Sequence, residues 1–162
     1  MISGKIETTW SGIDFKNVPW RNNKDPFQGF HSDSKVKKLY GNLVNIGICN
    51  DVPQELIAVA KSFGLRNTVC ALNKMTETQV LPFHRDKYSV YCEKNDISDV
   101  EKICRIIVFL EDSLPGQQLW IEDQFCSGIA GSYFGWTGST MHMAANLNEC
   151  TRYTLQITGI KD

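Results

Sequence analysis

Long apolar runs are absent from the sequence, which excludes one class of structure. The chain has 162 residues, and its longest apolar stretches, such as IIVFL at residues 106–110, have only five residues. A helix that crosses a bilayer needs about 20 such residues, so none is expected. The first ten residues, MISGKIETTW, also lack the basic start and apolar core of a secretory signal. We therefore expect a protein of the cytoplasm with no membrane partner.

An excess of charge of either sign is also absent. The chain carries 17 lysines and arginines against 18 aspartates and glutamates, which gives a formal net charge of −1. Without a global positive field, nucleic acid would have to be held by a local basic patch. A protein or small-molecule substrate is therefore favoured over nucleic acid.

The cysteines include no C-x-x-C pair, so the usual spacing of a zinc or redox site is missing. Most of them lie in apolar segments, and with no secretory signal we expect reduced thiols that act as small core residues. The six positions are Cys49, Cys70, Cys92, Cys104, Cys126 and Cys150.

Hydrophobic periodicity divides the chain into one helix and a strand-rich second half. Asp51 offers an N-cap, Pro53 fits the first turn, and apolar residues recur at helical spacing as far as Gly64, which predicts a helix over about residues 52–63. Strand patterns separated by turn residues follow at residues 68–75, 102–110, 118–121, 131–136 and 152–158.

This order of elements predicts a mainly β fold. Many short strands behind one helix are typical of a β-sandwich or jelly roll, here as a single domain. The first fifty residues are expected to form irregular structure with short strands. Residues 93–101 (EKNDISDVE) are expected to form a polar loop with room for one helical turn.

The segment LPFHRDKYSVY, residues 81–91, carries candidate metal ligands. Alternate side chains of an extended chain share a face, so His84 and Asp86 project to one side and Arg85 to the other. An H-x-D pair alone is also compatible with a polar surface turn. The later segment STMHMAAN supplies His142. Two histidines and one carboxylate form a facial triad, which leaves three positions on Fe(II) for a bidentate cosubstrate and dioxygen. A second H-x-D match, at residues 31–33, lies before the helix and is disfavoured.

The last strand pattern, RYTLQIT, has one apolar face and one polar face. The polar face starts with Arg152 and continues with Thr154, which suits a strand that lines a polar cavity. A guanidinium beside a hydroxyl can bind the far carboxylate of a dicarboxylic acid through parallel charge-assisted hydrogen bonds. An exposed cation at a strand end is the alternative, which the position of Arg152 after His142 disfavours.

The order H-x-D, then H, then R resembles the Fe(II)/2-oxoglutarate-dependent dioxygenase superfamily. The chain is most similar to the small prolyl-hydroxylase-like members found in bacteria and phage genomes. Residue by residue, the resemblance implies three iron ligands, His84, Asp86 and His142. It also implies that Arg152 anchors the C5 carboxylate of 2-oxoglutarate and that Thr154 occupies the hydroxyl position of an R-x-S/T pattern.

The resemblance implies a fold as well. We expect a single domain over residues 1–162, with an N-terminal extension and a helix packed on one sheet at residues 1–66. Residues 67–159 would form a double-stranded β-helix, a cupin-like jelly roll. His84 and Asp86 would follow its second core strand, while the third ligand would lie on the seventh strand and the arginine would open the eighth. If the protein is phage-encoded, its location is the host cytoplasm, and we expect a monomer or weak dimer.

Two further stretches resemble the family in part. NKMTETQVLPFHRD, residues 73–86, is similar to the strand before the first ligand in AlkB-type members, which makes Asn73 a candidate cosubstrate contact. Met75 departs from the cosubstrate-binding tyrosine of that group. Residues 106–123 are similar to a strand-turn-strand of prolyl-hydroxylase-like members, although only Gly116 of their two glycines is kept.

The activity implied is oxidative decarboxylation of 2-oxoglutarate, coupled through Fe(II) and O2 to hydroxylation of an unidentified substrate. Related halogenases have a small residue where this chain has Asp86, so hydroxylation, or demethylation through a hydroxymethyl group, is favoured. The alternatives are a catalytically silent β-helix that binds a ligand or partner, a cupin-like metalloenzyme that works without 2-oxoglutarate, and an AlkB-like nucleic-acid demethylase.

Four other residues have two readings each. Tyr88 and Trp136 are candidate substrate contacts, although aromatic residues at such positions also serve as core. Arg105 lies inside an apolar strand and must reach either the cosubstrate, the substrate or an acid in a structural ion pair. Asn146 is either a group that orients a metal ligand or a turn-forming residue.

Overall fold

The structure is a computed structural model that describes residues 1–7, 12–22 and 46–161. Eleven β-strands are the main elements of these residues. Two α-helices are also described, α1 (Gln54–Ser62) and α2 (Ser89–Asn95), with a short 3-10 turn at Val100–Lys102. The strands are β1 (Ile2–Lys5), β2 (Arg21–Asn22), β3 (Gly47–Cys49), β4 (Arg66–Met75), β5 (Gln79–His84), β6 (Ile103–Phe109), β7 (Gln117–Ile121), β8 (Gln124–Cys126), β9 (Ser132–Thr137), β10 (His142–Asn146) and β11 (Arg152–Ile160).

The strands form two antiparallel sheets. The large sheet has the order β1-β9-β6-β11-β4-β3-β2, and the small sheet has the order β5-β10-β7-β8. From β4 to β11 the chain passes back and forth between the two sheets. These eight strands form a double-stranded β-helix, the jelly roll that the sequence predicts, with β1, β2 and β3 added at the edges of the large sheet.

The two faces of the large sheet have different roles. One face carries apolar side chains such as Leu72, Val108 and Leu155, and α1 packs on it through Leu56 and Ala60, all of them almost fully buried. Each such side chain contributes roughly 1.5–3 kcal/mol by leaving water. The other face points at the small sheet and carries the polar residues of β4, β6 and β11. This alternation is the one expected for RYTLQIT.

The bounds of helix α1 agree with its sequence pattern to within two residues at either end. Its N-cap is Pro53, with no side-chain cap, so the prediction of Asp51 as N-cap is wrong. The carbonyl of Pro53 accepts hydrogen bonds from the amides of Leu56 and Ile57, at 3.0 and 3.1 Å, and so closes the first turn. The helix ends before Gly64, which adopts φ +67°, a value that glycine reaches without strain. The prediction of one helix packed on one sheet is confirmed.

The expectation of a loop at residues 93–101 is partly wrong. Helix α2 covers Ser89–Asn95, and the 3-10 turn begins at Val100. None of the residues of α2 is buried, and Tyr88 before it has a left-handed backbone with no side-chain cap. The helix therefore leaves neither an apolar stripe nor a capping residue for sequence analysis to detect.

The cysteines are free thiols, as predicted. Cys49, Cys104 and Cys126 are buried in the core, whereas Cys150 is exposed, because it lies in the turn between β10 and β11. The competing H-x-D match at residues 31–33 falls outside the described residues, as does much of the N-terminal region expected to be irregular. Within the described ranges no helix has the length and apolar character needed to cross a membrane.

Candidate metal centre

A cavity of about 350 Å³ lies between the two sheets. Its walls come from β4, β6, β9 and β11 of the large sheet and from β5, β7 and β10 of the small sheet. Apolar side chains such as Leu81, Ile107 and Leu119 line it beside charged ones. The three predicted metal ligands, His84, Asp86 and His142, all line this cavity.

The two histidines are neighbours on adjacent strands. His84 is the last residue of β5 and His142 the first of β10, and the two pair directly across the sheet, with ring centroids 4.2 Å apart. Asp86 follows two residues after β5. Its Oδ1 lies 3.8 Å from Nε2 of His84, and its Oδ2 lies 3.6 Å from Nε2 of His142. One ligand atom from each of the three residues falls within 4.8 Å of the others.

Backbone carbonyls fix the orientation of both imidazoles. Nδ1 of His84 lies 2.8 Å from the carbonyl oxygen of Pro82, and Nδ1 of His142 lies 2.9 Å from that of Thr140. A carbonyl can only accept, so each Nδ1 donates a proton to it, and each Nε2 is directed toward Asp86. Burial lowers the pKa of His142 to about 4, which keeps that ring neutral at pH 7.

This donor set fits a divalent metal ion. Two imidazole nitrogens and one carboxylate oxygen form the three-ligand face that non-haem iron sites use, and the cavity lies on the open side. The side chains are largely shielded, with 12% of His84, 18% of Asp86 and 6% of His142 exposed. The three residues predicted to bind a metal are therefore together in space and correctly oriented to hold one.

Arg105 contacts the same carboxylate. Its Nη1 lies 2.9 Å from Oδ2 of Asp86, although its N–H bonds are not aimed at that oxygen, so the contact is an ion pair without hydrogen-bond geometry. Its guanidinium carbon lies 5.0 Å from the ring centroid of Tyr88. Of the two readings of Arg105, the ion pair is the one present in the structure, and it lies at the metal centre.

Unsatisfied polar atoms concentrate around this ion pair. Among the described residues, four buried side-chain atoms make no hydrogen bond, whereas native structures leave few such atoms. They are Oδ2 of Asp86, the hydroxyl of Tyr88, Nε of Arg105 and Nε1 of Trp136. Burial also raises the pKa of Tyr88 well above its usual range, so its hydroxyl stays protonated. Three hydrogen-bond donors and one acceptor without partners therefore lie beside the candidate metal ligands.

The two aromatic candidates differ in their position. Trp136 is 3% exposed, lines the cavity, and its ring lies 4.4 Å from that of His142. Tyr88 is also buried, but it is not part of the cavity wall, and its ring faces Arg105. Of the two, only Trp136 is placed to touch a molecule in the cavity, and its contact with substrate stays a prediction.

Arg152 lies in the same cavity as the triad and has no acid beside it. It opens β11, is only 7% exposed, and its Nη1 donates to the carbonyl oxygen of Gln118 at 2.6 Å. Its guanidinium carbon lies 5.0 Å from the ring centroid of Phe109. Within the described residues no carboxylate comes within 4.0 Å of it. Burial lowers its pKa to about 10, which still leaves it a cation at neutral pH. The alternative of an exposed strand-end cation is excluded.

Polar side chains continue from Arg152 along the cavity face of β11. Thr154 is 8% exposed and lines the cavity, and Gln156 follows two residues later. Oε1 of Gln156 accepts from Nδ2 of Asn73 and from Nη1 of Arg105, both at 3.4 Å. Asn73 therefore reaches the cavity as predicted, and its contact with a cosubstrate stays a prediction. Gln156 was missed as a site residue, although its alternation with Arg152 and Thr154 signals it.

Asn146 proves to be a turn-forming residue. It is fully buried, and its Nδ2 donates to the carbonyl oxygens of Met75, at 2.8 Å, and Cys150, at 2.9 Å. Its Oδ1 accepts from the amide of Asn148 at 3.1 Å. It contacts neither imidazole through these bonds. Its role is to hold the turn between β10 and β11 against the end of β4.

Comparison with known proteins finds similar folds and no similar sequence. No protein-family model matches the chain, and neither does any curated protein sequence. A prolyl-4-hydroxylase from Pseudomonas putida superposes with a TM-score of 0.53 and 14% identity, over 75% of this chain and 74% of that one. A predicted oxalate decarboxylase from Thermotoga maritima gives 0.46 and 11%, over 72% and 81%. A cupin superfamily protein from Desulfitobacterium hafniense gives 0.39 and 12%, over 58% and 68%. At 14% identity the first of these likenesses shows a shared jelly-roll fold.

Proposed function

We propose that the protein is an Fe(II)- and 2-oxoglutarate-dependent oxygenase that hydroxylates an organic substrate. The observation that carries this proposal is Arg152, a buried cation with no carboxylate partner in the described chain, which shares a cavity with His84, Asp86 and His142. A buried charge without a partner is costly, and a bound anion would compensate it. A dicarboxylate that also chelates the metal meets both requirements.

Each residue then has a defined task. His84, Asp86 and His142 hold the metal on one face, with their imidazole tautomers set by the carbonyls of Pro82 and Thr140. Arg152 holds the far carboxylate of 2-oxoglutarate, and the Thr154 hydroxyl lies beside it on the same face of β11. When bound, iron and 2-oxoglutarate would supply the oxygen activation, with one atom of O2 entering succinate as CO2 is released and the other entering the hydroxylated substrate.

Asp86 also bears on the type of reaction. Because a carboxylate fills the third ligand position, no coordination site is reserved for a halide, and hydroxylation or demethylation through a hydroxymethyl group is favoured. The apolar wall formed by Leu81, Ile107 and Leu119 keeps water away from the reacting group. We propose a small molecule or a protein side chain as the substrate in preference to nucleic acid.

The test is anaerobic binding of Fe(II) and 2-oxoglutarate. The complex should show a weak visible charge-transfer band, which His84→Ala should abolish. Arg152→Met should weaken 2-oxoglutarate binding by about 100-fold, since a charge-assisted, bidentate contact contributes a few kcal/mol. Arg21→Met removes one arginine from an exposed position in β2, outside the cavity wall, and is the control for the loss of one positive charge.

Three outcomes would reject the proposal. Iron binding without the band would favour a metalloenzyme that does not use 2-oxoglutarate. Tight 2-oxoglutarate binding that survives Arg152→Met would remove the observation on which the proposal rests. A band without any release of succinate on exposure to air would favour a silent binding domain.

A further inference from the structure

The charged side chains that line the cavity are almost all cationic. Among the described residues that line it, four are cations and only one, Asp86, is a carboxylate. The cations are Arg85, Lys87, Arg105 and Arg152. The chain as a whole has a net charge of −1, so this positive charge is concentrated locally. A cleft lined by one sign of charge raises the local concentration of ligands of the opposite sign.

Two of these cations already have partners. Arg105 forms the ion pair with Asp86 at 2.9 Å. Arg152, under the proposed function on which this inference rests, holds the far carboxylate of 2-oxoglutarate. A divalent metal adds two positive charges to the cavity, and the two carboxylates of the cosubstrate add two negative ones. Four cations against the one carboxylate of Asp86 therefore leave the cavity positive with metal and cosubstrate bound, and Arg85 and Lys87 are part of that excess.

Arg85 and Lys87 lie at the rim of the cavity. They alternate along the chain with His84 and Asp86, and both side chains are exposed while contributing to the cavity wall. Nη1 of Arg85 donates to the carbonyl oxygen of Ser139 at 2.9 Å, which fixes the guanidinium without neutralising it. No carboxylate of the described chain lies within 4.0 Å of either cation. Their remaining N–H groups can bind an acceptor that arrives from solvent.

The cavity wall beside the metal ligands includes the indole ring of Trp136, which lies 4.4 Å from the ring of His142. The aliphatic residues Leu81, Ala144 and Ile107 lie on the other side of the two histidines, toward Arg152. A substrate that enters past the two rim cations would therefore place an apolar body near the metal and keep a charged group at the rim.

We propose that the substrate is a small organic anion, with an apolar body that reaches the metal and a carboxylate or similar group held by Arg85 and Lys87. Its reacting C–H bond lies on the apolar body, and its charge lies at the rim. This assigns a substrate class to the site and gives the two rim cations a function in selecting it.

The test compares three probes of one shape and different charge. Titration calorimetry on the protein loaded with Zn(II) and saturated with 2-oxoglutarate would measure binding of 3-phenylpropanoate, 3-phenylpropanamide and 3-phenylpropylamine. Zn(II) prevents turnover, and saturation keeps Arg152 occupied. The carboxylate should bind at least about tenfold more tightly than the amide, and the difference should shrink as salt is added. The amine should bind most weakly.

Paired variants locate the effect. Arg85→Gln/Lys87→Gln should bring the carboxylate and the amide to within about twofold of each other. Lys61→Gln/Lys94→Gln removes the same net charge from exposed positions outside the cavity wall and should leave the preference intact. If both variants lose the preference for the carboxylate over the amide, the preference is a long-range effect of net charge. If neither variant loses it, the carboxylate binds elsewhere. Either result overturns the proposal.

Failure of this inference and failure of the proposed function give different results. If 2-oxoglutarate binds and the three probes bind alike, or none binds at millimolar concentration, the anion site is rejected and the oxygenase proposal stands. If 2-oxoglutarate does not bind but the carboxylate preference is present and is lost in the rim variant, the anion site stands and the cosubstrate assignment is rejected. Displacement of 2-oxoglutarate by the carboxylate probe would place the anion at Arg152 and reject the rim site.

Discussion

The carboxylate of Asp86 has two uses, as a candidate metal ligand and as the partner of Arg105. Both side chains are mostly buried, at 18% and 16% exposed, so neither charge can be left alone without cost. In the metal-free protein Arg105 is the cation that compensates Asp86. When a metal is bound, the metal can take over that role.

The first prediction follows from this exchange of partners. Arg105→Met should lower the unfolding free energy of the metal-free protein by about 2 kcal/mol, less than the 3–5 kcal/mol typical of a fully buried pair, because this pair keeps some contact with water. With saturating Zn(II) the deficit should shrink, since the metal then neutralises Asp86. Urea unfolding with and without Zn(II) measures both values.

Arg21→Met, in the exposed strand β2, serves as the control for the loss of one arginine. If Arg105→Met lowers the unfolding free energy equally with and without Zn(II), Arg105 stabilises the fold through the Tyr88 ring or Gln156. The ion pair with Asp86 would then contribute little.

At the scale of elements, the turn between β10 and β11 connects the metal face to the proposed carboxylate anchor. His142 opens β10, Arg152 opens β11, and Asn146 closes β10 with three hydrogen bonds made inside the protein. The relative position of the two functional strands therefore depends on one buried amide.

Asn146→Ala should cost about 2–3 kcal/mol of unfolding free energy, because it removes three hydrogen bonds, one of them fully buried. It should also weaken 2-oxoglutarate binding, since Arg152 loses its support. Asn146→Asp keeps the shape but loses both donors, so it should be at least as damaging. Thermal or urea unfolding measures the first effect, and Asn50→Ala, at an exposed position, is the control. Native-like stability of Asn146→Asp would contradict the assignment.

The elements differ in how far the sequence reveals them. Strands β4, β6 and β11 are long and mostly half or fully buried, and β6 and β11 are rich in β-branched residues, so the patterns predict the bounds of all three to within about two residues. The short strands β8 and β10 contain too few residues for a period to develop, and β1 depends on pairing with β9 far along the chain. Such pairing is set by tertiary contacts, which a local pattern does not contain.

The candidate site shows the same division. His84, Asp86, His142, Arg152 and Thr154 could be identified because their residue types and alternation imply one shared face. The acid that pairs with Arg105, the buried hydroxyl of Tyr88 and the rim position of Lys87 could not be identified, since each depends on which strand lies opposite. The cosubstrate and the metal also remain predictions until binding is measured.

At the scale of the whole molecule, the two faces of the large sheet have different roles, one in the stability of the fold and one in the candidate site. Its outer face holds α1 and most of the apolar core, and its inner face holds the cavity residues. Changes to one face should reach the other only weakly when the sheet itself is preserved.

Leu56→Ala tests this separation. Leu56 is fully buried on the outer face, so its truncation should cost about 2–5 kcal/mol of unfolding free energy. The affinity of the folded protein for Zn(II) and 2-oxoglutarate should stay within about twofold of the original, measured by calorimetry well below the unfolding temperature. A change of tenfold or more would mean that the two faces are coupled through the sheet.

Pro82 has a consequence that extends beyond a single molecule. It lies in β5, at the edge of the small sheet as the described residues form it, and its carbonyl orients His84. Proline offers no N–H to an incoming strand, so the exposed edge next to the metal ligand is a poor template for a second chain. Pro82→Ala could keep the carbonyl and the imidazole in place while restoring that donor. The variant should then associate edge to edge at high concentration and be less soluble, while each single molecule still binds metal.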